Sequence, residues 1–253
     1  MKRVRLIFFF VLILWLIFSF STTYAQQHPN DPGGPDSVFF TPNNPAELYY
    51  PLPSGPGLGF IHIFFTNDDS VSGISAPFIF SGPVTYDSVS FRDSRIQYLL
   101  YKTVNEDLIG QKKILLGAIP VEEDILGPER GYLATLCFSI TGYTDTVRID
   151  TVFFPPTNHL TFVTLEPKGY TPIFTKGVFP VVPFWPGDSN HDMIVNVTDV
   201  IHLINYLFKG GPPPYPIAAG DVNADCTVNV TDVIYLINYL FKGGSAPQAG
   251  CIW

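Results

Sequence analysis

The feature that most constrains this chain is a duplication near its end. Residues 188–211, DSNHDMIVNVTDVIHLINYLFKGG, return at 221–244 as DVNADCTVNVTDVIYLINYLFKGG, with 19 identities over 24 positions at a period of 33 residues. Such a repeat means two copies of one supersecondary unit, here a polar loop running into an amphipathic helix. Asp188, Asn190, Asp192, Asn196 and Asp199 hold loop positions 1, 3, 5, 9 and 12, and Asp221, Asn223, Asp225, Asn229 and Asp232 repeat them. Hard oxygen donors at alternate positions of a curling 12-residue loop are what calcium requires, with the carbonyl of position 7, Ile194 or Thr227, as a further ligand. The spacing therefore predicts two calcium ions, each loop carrying three carboxylates and position 9 binding directly or through water.

Position 6 of such a loop is ordinarily glycine, because the turn there favours a left-handed backbone that costs an L-residue about 1–2 kcal/mol. Here it is Met193 and Cys226, a departure expected to weaken affinity without removing a ligand oxygen. After each loop, Val200, Leu203, Ile204 and Leu207, or Val233, Leu236, Ile237 and Leu240, recur at i, i+3, i+4 and i+7, the spacing of a helix with one apolar face. Gly210-Gly211 and Gly243-Gly244 stop the helices. The two copies should pack on each other, and the short, proline-rich link 212–220 is consistent with an antiparallel pair.

At the other end, Lys2, Arg3 and Arg5 precede an apolar run from Leu6 to Phe18 and a small-residue stretch ending at Ala25, the pattern of a secretory signal peptide over residues 1–25. A spanning helix needs roughly 20 apolar residues, so the run serves as a membrane anchor only if uncleaved. The expected location is extracellular, secreted or at the cell surface. The whole chain carries 14 Lys and Arg against 22 Asp and Glu, and loss of the signal removes three of the basic residues. That acidic balance excludes nucleic acid as a partner, since its phosphates would be repelled, and it suits a protein that gathers divalent cations.

Between these ends, the polar segment 26–36 is expected to be a flexible leader, and residues 37–180 read as an all-β domain. Short runs rich in Val, Ile, Phe, Tyr and Thr alternate with turn clusters: 59–66, 73–80, 84–91, 96–102, 113–119, 132–140, 146–154, 160–165 and 170–174. Along 132–140, strict alternation puts Tyr132, Ala134, Leu136, Phe138 and Ile140 on one face. With no helix to cover a parallel sheet, two antiparallel sheets packed face to face are expected, a β-sandwich. The proline- and aromatic-rich stretch 176–187 reads as an extended connector lying against one or both domains, with the linker placed at 181–186 and the helical module at 187–253. Three cysteines enter an oxidising compartment. Cys137 reads as a small buried residue of its strand, while Cys226 and Cys251 share the terminal module and are the favoured pair, although sequence alone does not settle connectivity.

With the loops DxNxDxxxNxxD, one helix per loop and the tandem duplication in view, residues 187–244 resemble a type I dockerin, the module that plugs secreted proteins into cohesin receptors. The resemblance implies that both loop–helix segments bind calcium, that Asp at position 12 is an ordinary variation, and that loop positions 10 and 11 with exposed helix residues touch the cohesin. Here those are Val197 and Thr198, Val230 and Thr231, with Lys209 and Lys242 at the helix ends. The near identity of the copies resembles the internal symmetry that lets some dockerins bind in either of two orientations. Strand count, the segment NDDSVSGISAPFIF and the later RIDTVFFPP give the sandwich a looser resemblance to a cohesin-like or carbohydrate-binding jelly roll.

The resulting expectation is a non-catalytic, calcium-dependent assembly protein whose partner is a cohesin-type domain in trans or the chain's own sandwich, linked to extracellular polysaccharide degradation. Two other readings compete. A glycoside hydrolase would need paired carboxylates flanking a bond; Glu47, Glu106, Glu122, Glu123, Glu129 and Glu166 sit in no recognisable catalytic setting, and His28, His62 and His159 are scattered. A carbohydrate-binding module displayed through the dockerin would need a stacking platform, for which Tyr49, Tyr50, Tyr98, Tyr101, Tyr132, Tyr143 and Tyr170 are available, although strand tyrosines more often pack.

Overall fold

A computed structural model describes residues 27–42, 47–53, 55–121 and 125–251 of the chain. The expected signal segment and the acids at 122–124 lie outside these residues. The strands, in chain order, are β1 (Ser37–Pro42), β2 (Leu48–Pro51), β3 (Gly57–Asn67), β4 (Val71–Ser81), β5 (Val84–Ser90), β6 (Tyr101–Asn105), β7 (Lys113–Ile119), β8 (Glu129–Ile140), β9 (Val147–Thr151), β10 (Thr161–Thr164), β11 (Gly169–Tyr170), β12 (Ile173–Phe174), β13 (Gly177–Phe179) and β14 (Val181–Phe184). Two helices follow, α1 (Val197–Lys209) and α2 (Val230–Lys242). Among the described residues no helix is long and apolar enough to cross a membrane.

The strands form the expected sandwich. One sheet runs β12-β1-β3-β8-β5, and the other runs β11-β10-β4-β7-β6 with β9 pairing both β4 and β13. Strand β4 meets β10 along Val71–Ser75 and β9 along Phe78–Ser81. Pro77, which has no amide hydrogen to donate, falls between the two partners, where no ladder bond is lost. Alternate residues point inward from both sheets, so that Ile61, Ile63 and Phe65 of β3 and Leu136, Phe138 and Ile140 of β8 meet Phe78, Ile114, Leu116 and Ile149 in a single buried cluster.

Four local expectations are corrected. The alternation in β8 breaks at a bulge, where the register to β3 passes from Ile63↔Ala134 to Phe64↔Tyr132. The extra residue, Leu133, turns inward and is buried, and Tyr132 leaves the core face. It lies half-buried beside His62 and Phe64, with ring centroids 4.6 and 4.3 Å away. Cys137, on the same strand, is half-buried rather than buried.

The run 96–102 is mostly not a strand. Turn hydrogen bonds Gln97 N–H to Ser94 O and Leu99 N–H to Ile96 O wind the chain, and the buried Ile96 and Leu99 sit three residues apart, a turn spacing rather than a strand's two. Strand β6 begins only at Tyr101. The preceding Arg95 anchors the turn, donating to Asn67 Oδ1 at 2.6 Å, Gly127 O at 2.6 Å and Glu129 O at 2.9 Å while its guanidinium lies over the Phe65 ring.

Residues 27–36, expected to be a flexible leader, are packed on the sandwich. Gln27 Nε2 donates to the carbonyls of Asp31 and Gly33, and the buried Asp36 accepts from the Asp68 amide at 2.9 Å and from the Tyr170 hydroxyl. The anchoring is polar, so hydrophobic patterning did not reveal it.

The connector is extended as expected, and it is also part of a ladder. Residues 181–184 form β14, which pairs parallel with β2 in a separate two-stranded sheet. Tyr49 of β2 and Phe184 of β14 then bury against Ala218 and Ala219 of the link between the two repeats. The Gly187 amide donates to Ala219 O at 2.9 Å, and the Tyr215 hydroxyl reaches Glu47. The helical module therefore rests on the sandwich through its inter-repeat link.

If the bulge sets the core face of β8, Phe138→Ala lowers the unfolding free energy by about 3–5 kcal/mol, whereas Tyr132→Ala costs less than half of that. Equal losses in denaturant melts would place Tyr132 back on the core face.

Candidate metal centres and docking faces

Each loop is closed by carboxylates that accept backbone amides. Asp188 takes the amides of Asp192 and Met193 at 3.0 and 2.8 Å, and Asp199 takes those of Asn190 and Asn196 at 3.2 and 2.8 Å. The second loop repeats this, with Asp221 accepting from Asp225 and Cys226 at 3.1 and 3.0 Å and Asp232 from Asn223 and Asn229 at 3.3 and 2.8 Å. Asn190 and Asp192 accept from the amides of Asp192 and Ile194, as Asn223 and Asp225 do from Asp225 and Thr227. The chain thus wraps so that the side chains of positions 1, 3, 5, 9 and 12 line one curl.

Positions 9 and 12 also start the helices. Asn196 and Asn229 are the N-caps, accepting from the amides of Thr198 and Thr231 at 2.7 Å, and Asp199 and Asp232 complete a reciprocal capping box from the third helical position. Both aspartates are fully buried. Burial, and after it the neighbouring Asp188 and Asp192, pushes the Asp199 carboxyl above the usual carboxylate range in spite of the amides it accepts; Asp232 is raised in the same way beside Asp221. A buried carboxylate crowded by others of like charge is stabilised by a bound cation. The donor set, carboxylate and amide oxygens with the carbonyls of Ile194 and Thr227, fits a hard divalent ion.

The turn at position 6 adopts the conformation glycine would favour even without glycine. Met193 and Cys226 both lie at φ +68°, and position 4 is also left-handed, at +59° for His191 and +57° for Ala224. The strain at position 4 carries no signature in the residue types. Cys226 also forms a disulfide with Cys251, and the tail folds back so that Cys251 N–H donates to Asp221 Oδ2 at 3.1 Å and Gln248 N–H to Val222 O at 3.0 Å. The favoured cysteine pairing is the one formed, and it ties the tail to the second loop.

Val200, Leu203, Val222, Val233 and Leu236 form the small core between the helices, with Ile204, Leu207, Ile237 and Leu240 half-buried against it. The positions expected to touch a partner, Val197, Thr198, Lys209, Val230, Thr231 and Lys242, are all exposed. Each threonine is also oriented by the loop, since Asn190 and Asn223 donate to Thr198 and Thr231 Oγ1 at 3.0 Å. Four further residues share these faces: Ile201 and Phe208 are 51 % and 67 % exposed, and Ile234 and Phe241 are 52 % and 66 % exposed. Their exposure on an amphipathic helix was a readable signal, because 201 and 208 lie off the 200-203-204-207 stripe. The two faces match position for position, and the chain's own sandwich covers neither.

The competing sites are dispersed. Glu47 accepts from Tyr215, Glu106 from Tyr86, Glu129 pairs with Arg95 and Glu166 with Lys168, so each of these carboxylates has a partner other than a second acid. Of the seven tyrosines considered as a platform, Tyr49 and Tyr170 are buried and Tyr50 and Tyr132 half-buried, which leaves Tyr98, Tyr101 and Tyr143 exposed.

Comparison with known proteins agrees with the geometry of this module. Residues 186–241 match the model of the dockerin type I domain family. Solved structures similar to the chain include the seventh ScaB type I cohesin from Pseudobacteroides cellulosolvens, at 15 % identity over 59 % of this chain and 93 % of that one, with a TM-score of 0.46. A type I cohesin–dockerin complex, Coh-OlpA-Doc918, from Clostridium thermocellum is similar at 9 % identity over 59 % of this chain and 100 % of that one, TM-score 0.45. A type II cohesin domain from the cellulosome of Acetivibrio cellulolyticus is similar at 14 % identity over 64 % and 98 %, TM-score 0.43. No curated protein matches the chain by sequence. The duplicated loop–helix module at the C-terminal end of this chain belongs to the dockerin type I family.

Proposed function

We propose that this chain is an exported, non-catalytic assembly protein whose dockerin binds two calcium ions and, so ordered, docks a cohesin-type domain of another molecule. The observation that carries this reading is the pair of equivalent helix faces, each led by a loop-oriented threonine and left uncovered by the chain's own sandwich. Asp188, Asn190, Asp192, Asn196 and Asp199, with the Ile194 carbonyl, would hold the first ion; Asp221, Asn223, Asp225, Asn229 and Asp232, with the Thr227 carbonyl, would hold the second. Calcium bound there neutralises carboxylates that also cap the helices, so ion loss is coupled to loss of the docking faces. A partner in trans is favoured over the chain's own sandwich, since the module contacts that sandwich through Tyr215, Ala218 and Ala219 instead. An extracellular setting, in a system that handles polysaccharide, follows from the N-terminal signal pattern and from the resemblance of the module.

Immobilised full-length chain, offered type I cohesin domains, a second copy of itself and polysaccharides, should retain a protein bait in calcium and release it in chelator. Asp188→Ala combined with Asp221→Ala should abolish that retention. Polysaccharide retention indifferent to chelator, without any protein bait, would instead favour the sugar-binding reading. Because the faces are equivalent, Ile201→Asp or Ile234→Asp alone should weaken cohesin binding about two-fold, since one of two alternative modes is lost, and the two together at least about 100-fold, since a buried anchor contact is then disrupted in either orientation. A single substitution that abolishes binding would show that only one face is used.

The left-handed turn at Met193 predicts that Met193→Gly tightens calcium binding in the first loop. Relief of the backbone cost, less the added flexibility of glycine, leaves roughly 0.5–1 kcal/mol, a two- to five-fold gain read by calorimetric titration. Unchanged or weaker binding would show that the turn does not limit affinity.

A further inference from the structure

The carboxylates of the N-terminal segment form a cluster that the dockerin does not account for. One oxygen from each of Asp31, Asp36 and Asp68 lies within 4.8 Å of the others. Two ligands on opposite sides of a calcium ion, each at about 2.4 Å, stand that far apart, so a single ion can reach all three. Asp69 is drawn to the same place: the position a Cβ would take on Gly33, at φ +78°, lies 2.6 Å from Asp69 Oδ2 and 2.9 and 3.0 Å from the two Asp68 oxygens.

The cluster is built rather than incidental. Asp36 accepts from the Asp68 amide and the Tyr170 hydroxyl, Asp31 Oδ2 accepts from the Asp36 amide at 3.2 Å, and Asp68 accepts from the Gly34 amide. After these bonds, Asp31, only 8 % exposed, keeps a buried Oδ1 with no hydrogen-bond partner. A buried carboxylate oxygen left bare beside other acids is costly unless a cation faces it. Among the described residues none of the four acids makes a salt bridge. The nearby cations are committed elsewhere, Arg95 to Asn67, Gly127 and Glu129, and Lys168, across the cleft from Asp69, to Glu166. Burial, and then Asp31 and Asp68, pushes the Asp36 carboxyl up to about 6 against the bonds it accepts. Asp69 also borders a solvent-open cleft of about 370 Å³ lined by Asn30, Ser70 and Thr164, which offers an ion its entry path and its water ligands.

We propose that Asp31, Asp36 and Asp68, with Asp69 at the edge, form a third calcium site, on the sandwich, that clips the segment 27–36 to the turn between β3 and β4. The donors are all oxygen, which selects a hard divalent cation over zinc or copper. The site is independent of the dockerin loops.

Calcium titrated calorimetrically into the chelator-stripped full chain should saturate at three ions. The variant Asp188→Ala with Asp221→Ala should still bind one, and adding Asp68→Asn to it should weaken that remaining ion at least ten-fold. Asp68 is exposed, so its substitution leaves the buried bonds of Asp36 in place; terbium luminescence excited through Tyr170 gives a second readout in the loop variant and should be displaced by calcium. Saturation at two ions, with no calcium or terbium bound by the loop variant, would overturn the site. If the dockerin loops themselves fail to bind, the full chain and the loop variant both bind one ion that Asp68→Asn weakens, which separates the two failures.

Discussion

The C-terminal module depends on two fully buried carboxylates, Asp199 and Asp232. Each closes a loop by accepting amides from positions 3 and 9 and, as the third residue of a helix, completes the box that starts that helix. Loop shape and helix direction are therefore one constraint. Because each carboxyl is raised by burial and then by acids of its own loop, whatever neutralises the loop also secures the helix. The exposed faces led by Thr198 and Thr231 inherit their orientation from the same closure, through the bonds from Asn190 and Asn223.

The sandwich and this module meet through a small parallel ladder. Strands β2 and β14 lie at opposite ends of the β-domain sequence, and their pairing brings Tyr49 and Phe184 together as a floor for Ala218 and Ala219. Tyr215 crosses Tyr49 edge-on, with ring centroids 6.1 Å apart, and reaches Glu47. The contact falls on the link between repeats rather than on either repeat. It therefore supports the module while leaving both helix faces free.

Much of this was legible in the residues. Strand β7 coincides with the run expected from its composition, and β3, β4 and β5 lie within a few residues of theirs, because β-branched and aromatic residues between turn clusters favour a strand in a sandwich. The loops, the order of their oxygen-bearing side chains and the glycine stops Gly210 and Gly243 were legible because a carboxylate-closed loop and a left-handed cap each demand particular residue types at fixed spacing. What escaped notice was carried by polar or irregular geometry. Arg95 holds a turn over 95–100 where β-rich composition suggested a strand, the bulge at Leu133 reverses Tyr132, and Asp31 and Asp36 anchor a segment with scarcely any apolar residues.

The sequence by itself determined the duplicated loop–helix unit, its oxygen donors, the pairing of Cys226 with Cys251 as the favoured bridge, and the two-sheet class of the preceding domain. These rest on local periodicity and on residue chemistry within a few positions. The tertiary structure alone decided that the module meets the sandwich through the link between its repeats, that residues 181–184 join a parallel ladder, and that four aspartates from two separated segments converge. Each of those outcomes depends on contacts between residues far apart in the chain, for which no short-range pattern exists.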